Sequence, residues 1–147
     1  MLKIYQEENK EDFSSLLLLA DEEQSMIDKY LKNSTMFVLK SDDVIGEICV
    51  LDVGGGILEI KNLAIAPQHQ RKGYGKMLID FVCSKYKNNF DFIQVGTGDS
   101  PITISFYQKC GFAKSHIVKN FFKENYSHPI VECGKTLCDM VYLKKKL

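Results

Sequence analysis

The chain has no tryptophan, only three prolines in 147 residues, and no net charge, with 19 basic and 19 acidic side chains. Balanced charge excludes a dedicated nucleic-acid binder, which needs a basic excess to neutralise phosphates. No apolar run exceeds the five residues Leu16–Ala20, whereas a membrane-crossing helix needs roughly 20. The first residues lack the basic, apolar and small-residue succession of a secretory signal. A cytoplasmic location with no membrane partner is therefore expected. The five cysteines are odd in number and include no C-x-x-C pair, so neither a disulfide framework nor a zinc site is indicated. His69, His116 and His128 do not join them at metal-ligand spacing. The cysteines read as mostly buried small hydrophobes in a reducing compartment.

What is present is ordinary globular composition, 45% hydrophobic and 26% charged. The length suits one domain spanning residues 1–147, with a proper core. Periodicity predicts a strand at Leu2–Gln6, then helices at Phe13–Ala20 and Gln24–Leu31. Strands follow at Met36–Leu39, Val44–Leu51 and Ile57–Ala66, the last two joined by a hairpin at Gly54-Gly55-Gly56. The second half alternates, with helices at Gly75–Tyr86 and Ile102–Cys110 and strands at Phe92–Thr97 and Phe112–Val118. Ser100, Pro101 and Gly111 suit the N-cap, first turn and left-handed end of the second of these helices. A final strand at Cys138–Leu143 runs into Lys144-Lys145-Lys146, read as a solvated tail. The fold class is mixed α/β, a central, largely antiparallel sheet flanked by about four helices.

The most informative positions are Gln70-Arg71-Lys72-Gly73-Tyr74-Gly75. They join a strand to a helix in which Met77, Leu78, Phe81, Val82 and Tyr86 recur at helical spacing. A turn of this kind presents unpaired backbone N–H groups at the positive end of a helix dipole, which is a phosphate site. The glycines allow close approach of the main chain, and Arg71, Lys72 and Lys76 add positive charge. The P-loop pattern fails, because Met77 follows Gly75-Lys76 where Ser or Thr is required and Gln70 replaces the first glycine. The dinucleotide fingerprint fails at Leu78, where its third glycine belongs.

Gln70-Arg71-x-Gly73-x-Gly75 resembles the Q/R-x-x-G-x-G/A signature of the GNAT superfamily of acyl-CoA-dependent N-acetyltransferases. Leu63-Ala64-Ile65-Ala66-Pro67 is similar to the end of that family's fourth strand. Phe106-Tyr107-Gln108-Lys109-Cys110-Gly111-Phe112 resembles its second signature. The likeness spans about residues 36–115 and is greatest to small, stand-alone bacterial members. It implies a GNAT fold, acetyl-CoA as cofactor, and a pyrophosphate held by the main chain of the loop from Gln70 to Gly75. It also implies that Leu63, Ala64 and Ile65 hydrogen-bond the pantetheine arm.

Acetylating an amine requires removal of a proton, stabilisation of the carbonyl oxygen, and a proton for the departing thiolate. Period two puts Glu59 on one strand face with Ile57, Lys61, Leu63 and Ile65. Glu59 lies where several relatives carry a general base, and a carboxylate of ordinary pKa near 4.3 suits that work only if its site raises it. Lys61 stands close enough to neutralise it. The resemblance makes Tyr107 the candidate acid beside the thioester sulfur. It also implies a strand bulge that frees a main-chain N–H near Leu63–Ile65 as oxyanion donor. Many relatives have Asn where this chain has Ser100, whose capping role accounts for it.

The acceptor is read as a primary amine on a small molecule or peptide. Residues 7–33 carry eight carboxylates against three lysines, which fits a solvated helix face or a mouth attracting a cationic amine. Phe121, Phe122, Tyr126 and His128 are candidates for the acceptor side or for simple packing. A non-catalytic acyl-CoA sensor would keep the 70–75 loop without needing Glu59 or Tyr107. Monomer and homodimer remain equally open.

Overall fold

A computed structural model describes residues 1–147. The chain begins with β1 (Lys3–Glu7), α1 (Ser14–Ala20) and α2 (Gln24–Asp28). It continues through β2 (Thr35–Lys40), β3 (Val44–Asp52), β4 (Ile57–Ile65) and α3 (Tyr74–Tyr86). Then come β5 (Phe92–Gly98), α4 (Pro101–Lys109), β6 (Ala113–Val118) and α5 (Phe121–Asn125). The chain closes with the two-residue strands β7 (Val131–Glu132) and β8 (Lys135–Thr136), and with β9 (Met140–Lys146).

Seven strands form one sheet in the order β1-β2-β3-β4-β5-β9-β6. Only β4–β5 is parallel, and α3 supplies its crossover. The sheet is covered on both faces, which explains why β2 is apolar at consecutive rather than alternate positions. Phe37 and Leu39 face one side with Ile48, Val50, Leu58 and Ile60, where α3 presents Leu78, Ile79 and Val82. Met36, Val38 and Cys49 face the other, against Leu17 of α1 and Ile27 of α2. A small third cluster joins Phe122, Ile130 and Leu137. The three glycines between β3 and β4 all have positive φ, as their tight connection requires.

Four expectations need correction. Lys144-Lys145-Lys146 is no tail, since these residues are the end of β9 and pair with Gln94, Ile93 and Phe92. Lys145 donates its ammonium to the Cys110 carbonyl at 3.0 Å, and the Lys144 ammonium lies over the Phe92 ring. A fifth helix, α5, follows Asn120, whose left-handed φ of 57° turns the chain into it. Two cysteines, Cys133 and Cys138, are exposed rather than buried, although all five are free thiols.

The fourth correction concerns the face on which Glu59 lies. Along β4, Val50 pairs with Ile60 and Cys49 with Asn62, so Lys61 has no partner on β3. The bulge expected in this strand therefore lies at Lys61, and what fails is the expectation that Glu59 shares a face with Lys61, Leu63 and Ile65. An extra residue moves every later side chain to the opposite face. Glu59 pairs with Leu51, and Leu51 shares a face with Cys49 and hence with Asn62. Glu59 thus shares its face with Asn62 and Ala64, while Leu63 and Ile65 belong to the other.

Candidate functional site

The loop at residues 70–75 leaves β4 and enters α3. Gln70 ties it back to the strand, its Nε2 donating to the Ile65 carbonyl at 2.9 Å. Arg71 has φ of 64° and Gly73 φ of 84°, so the backbone turns twice through the left-handed region. The first helical bond of α3 is Met77 N–H to Gly73 C=O, and no group in the protein accepts from the N–H groups of residues 71–76. These donors gather at the positive end of a 13-residue helix, which favours an anion. Gly73 is favoured by its backbone angle, whereas Gly75 sits close under Phe106, where a Cβ would lie 3.1 Å from the ring and press it aside. Arg71 and Lys72 are exposed beside the loop. Lys76 is already paired, its Nζ 2.7 Å from Asp80 one turn along.

β4 and β5 pair only from Ile57 to Ile60 against Phe92 to Val95. Beyond that point β4 pairs only with β3, and β5 only with β9. The sheet therefore opens as a V whose apex is next to the Lys61 bulge. Leu63, Ala64 and Ile65 form one edge, which offers unpaired strand backbone to an extended ligand.

Glu59 and Tyr107 stand at this opening and line one cavity of about 820 Å³. Glu59 is buried, and both its oxygens are engaged. Lys61 Nζ lies 2.6 Å from Oε2, and Gln94 Nε2 donates to Oε1 at 2.5 Å from across the parallel pair. Lys61 also sits over the Tyr30 ring, 5.5 Å from its centre. The Tyr107 ring packs edge-on against Phe106 and Phe112. Its hydroxyl takes no partner within the protein, and burial pushes the phenol well above its usual range. It is therefore neutral, as a proton donor must be.

The cavity runs from the V towards a roof made of distant segments. Tyr126 donates its hydroxyl to Asp21 at 2.8 Å, and the Ser127 N–H donates to Glu23 at 3.0 Å. The Ser127 hydroxyl reaches the same carboxylate. Burial raises Asp21 above the usual carboxylate range, opposed by the Tyr126 bond. Of the acidic N-terminal stretch only Asp21 and Glu22 face the cavity, together with Phe121, Phe122 and Tyr126 from the far end of the chain. His128 lies outside it, beside Glu23.

Two buried polar residues had no motif to reveal them. Gln94 is a polar residue inside Phe92–Val95, and Glu47 is one inside Val44–Leu51; a polar residue interrupting an apolar strand was the available signal. Glu47 is fully buried, accepts from the Cys49 thiol at 3.3 Å, and leaves Oε2 without a partner. Ser100 departs from expectation. It occupies the N-cap with its carbonyl accepting from Ile104, but its hydroxyl caps nothing and is buried without a partner.

A mixed sheet split beside a glycine-turned helix start defines an acyl-CoA-dependent acetyltransferase fold. A family model described as acetyltransferase (GNAT) domain matches residues 32–114. The chain belongs to the GNAT acetyltransferase family. It is 36% identical over 140 residues to the uncharacterized N-acetyltransferase YvbK of Bacillus subtilis, covering 93% of this chain and 90% of that one. A GNAT family acetyltransferase from Elizabethkingia anophelis, crystallised with acetyl-CoA bound, superposes with a TM-score of 0.93. It is 35% identical, over 99% of this chain and 98% of its own. An IAA acetyltransferase from Bacillus cereus gives 0.93 at 33% identity over the whole of both chains. No helix is long and apolar enough to cross a membrane.

Proposed function

We propose that this chain moves an acetyl group from acetyl-CoA directly to a primary amine of a small molecule or peptide, as one domain spanning residues 1–147. The observation that carries the reading is the parting of β4 and β5, with Glu59 and Tyr107 lining one cavity at the V and the unpaired N–H groups of residues 71–76 opening α3, which packs on the sheet face opposite Glu59. Those N–H groups, with Arg71 and Lys72, suit the pyrophosphate, and the open edge Leu63–Ile65 suits the pantetheine arm. Acetyl-CoA supplies an activated thioester. Glu59 takes a proton from the amine, directly or through water, and Tyr107 returns one to the sulfur. A main-chain N–H at the bulge serves the carbonyl oxygen.

The acceptor is a cationic amine. Asp21, Glu22, Glu59 and Glu132 line the cavity against only Lys29 and Lys61, so its field favours a positive charge. Cytoplasmic action suits five free thiols, and the chain works as a monomer or homodimer. A second reading, a non-catalytic acyl-CoA sensor, is favoured by one observation: both oxygens of Glu59 are already occupied.

The test is coenzyme A release over a panel of cationic, neutral and acidic amines, with Glu59→Gln and Tyr107→Phe. A catalyst loses about 10²-fold or more in rate with either change while still binding acetyl-CoA. Unaltered cofactor binding with no turnover in the parent favours the sensor. Preference for neutral or acidic amines sinks the assignment of a cationic acceptor.

A further inference from the structure

Lys61 occupies a position that a surface lysine does not. It is the unpaired residue of the β4 bulge, two residues from Glu59 and two before Leu63. Its side chain is 27% exposed and lines the cavity. The ammonium is held on Glu59 Oε2 at 2.6 Å and over the face of Tyr30. An acceptor amine delivered to Glu59 must make this same contact, a nitrogen within hydrogen-bond reach of the base. Lys61 is therefore a primary amine of the chain itself seated where the incoming amine has to sit.

We infer that Lys61 is a self-acetylation site: in the absence of an acceptor amine the enzyme transfers the acetyl group from acetyl-CoA to Lys61 Nζ. This rests on the acetyl-transfer reading above. The Lys61 ammonium gives one proton to Glu59, and its lone pair attacks the thioester carbonyl carbon. The N–C bond forms and the C–S bond breaks, the electron pair leaving with sulfur. The second proton lost by the nitrogen is matched by the one the thiolate gains, and Glu59 passes its proton to water. The products are an acetamide at Lys61 and free coenzyme A.

The modification changes the site. Acetylation removes the charge, the ion pair and the cation over Tyr30 together. Glu59 keeps only the Gln94 donor, and an uncharged acetamide fills the space beside it. The enzyme would then carry a mark of having met acetyl-CoA without an acceptor. Lys29, which lines the same cavity without touching Glu59, is the internal control.

The full chain is incubated with acetyl-CoA isotopically labelled in the acetyl group, with no amine added, and peptides are mapped by mass spectrometry. The expected result is one acetyl group on Lys61, gained well before Lys29 or Lys72. Lys61→Arg, which keeps a cation on Glu59, abolishes the singly acetylated species, and Glu59→Gln slows it by about 10²-fold. A retained thermal shift with acetyl-CoA shows that each variant is folded. Label spread evenly over exposed lysines, or insensitive to Glu59, overturns the proposal. Coenzyme A release with added amines alongside an unlabelled Lys61 overturns it while leaving acetyl transfer intact. Neither label nor release with any amine brings down both.

Discussion

Gln94 donates to Glu59 across the only parallel strand pair, one residue before the two strands part. The contact fixes a carboxylate at the apex of the V while its other oxygen meets Lys61. Gln94→Leu leaves that oxygen without its donor in a buried position, at a cost of about 1–3 kcal/mol. The expected kinetic signature is a kcat lowered about tenfold with KM for acetyl-CoA unchanged, since Gln94 is remote from the 70–75 loop. An equal loss in both constants would show general disruption instead.

Acetyl-CoA at a hundredfold excess over Kd stabilises the fold by about 2.7 kcal/mol. For a chain of this size the melting temperature rises by roughly 5–10 °C. Gly73→Ala forces a side chain into φ of 84°, costing about 1–2 kcal/mol, and should shrink this ligand-induced rise. Thermal unfolding with acetyl-CoA, coenzyme A and ATP checks the point. A rise with ATP as large as with acetyl-CoA would mean that the loop binds phosphate without selecting coenzyme A.

Asp21 lines the roof of the cavity, where the proposed cationic acceptor would meet it. Asp21→Asn should raise KM for a cationic amine about tenfold, equivalent to about 1.4 kcal/mol, and leave KM for acetyl-CoA alone. Because burial raises the Asp21 carboxyl, binding of a cationic amine should also weaken as pH falls through that raised value, and this dependence should vanish in the variant. A KM that does not move in Asp21→Asn would remove Asp21 from the acceptor site.

Glu47 sets a pH dependence of stability. Burial pushes its carboxyl up to about 8 from an ordinary 4.5. Between these values the folded chain retains a proton that the unfolded chain releases, so stability falls as pH rises through the window. Below about 4.5 both states are protonated and the effect vanishes. Glu47→Gln has no proton to lose, so its melting temperature relative to the parent should climb by at least about 2–4 °C between the two ends of the window. A constant difference across that range would show that Glu47 does not titrate on folding.

The turn at residues 70–75 was readable because its physics is local. The six residues from Gln70 to Gly75 impose their turn and open their helix whatever surrounds them, and Gly111 takes φ of 97° at the end of α4 as its position predicts. The face of β4 that carries Glu59 was misjudged for a reason that is equally physical. A bulge is one extra residue, and nothing in Ile60-Lys61-Asn62 marks which residue the neighbouring strand will skip. Asn62 gives the nearest hint in retrospect, since its amide donates to the Leu17 carbonyl and the Tyr30 hydroxyl and so must face α1. Lys144-Lys145-Lys146 was misread because three lysines suggest solvent, while the strand needs only their backbone. The roof was invisible because Asp21 and Tyr126 are 105 residues apart, and a pairing of that range leaves no periodic trace.

The bridge between Asp21, Glu23, Tyr126 and Ser127 gives the two ends of the cavity different mechanical character. The end beside the 70–75 loop is built on a nine-residue strand and a 13-residue helix, anchored in the main core. The roof end is closed by a few side-chain hydrogen bonds between short segments and by the small Phe122–Ile130–Leu137 cluster, so it can open at smaller cost than the sheet. Amides around residues 120–137 should then exchange with solvent long before those of β4 and α3. The chain would thus hold its donor on a rigid bench and admit its acceptor through a hatch that swings separately.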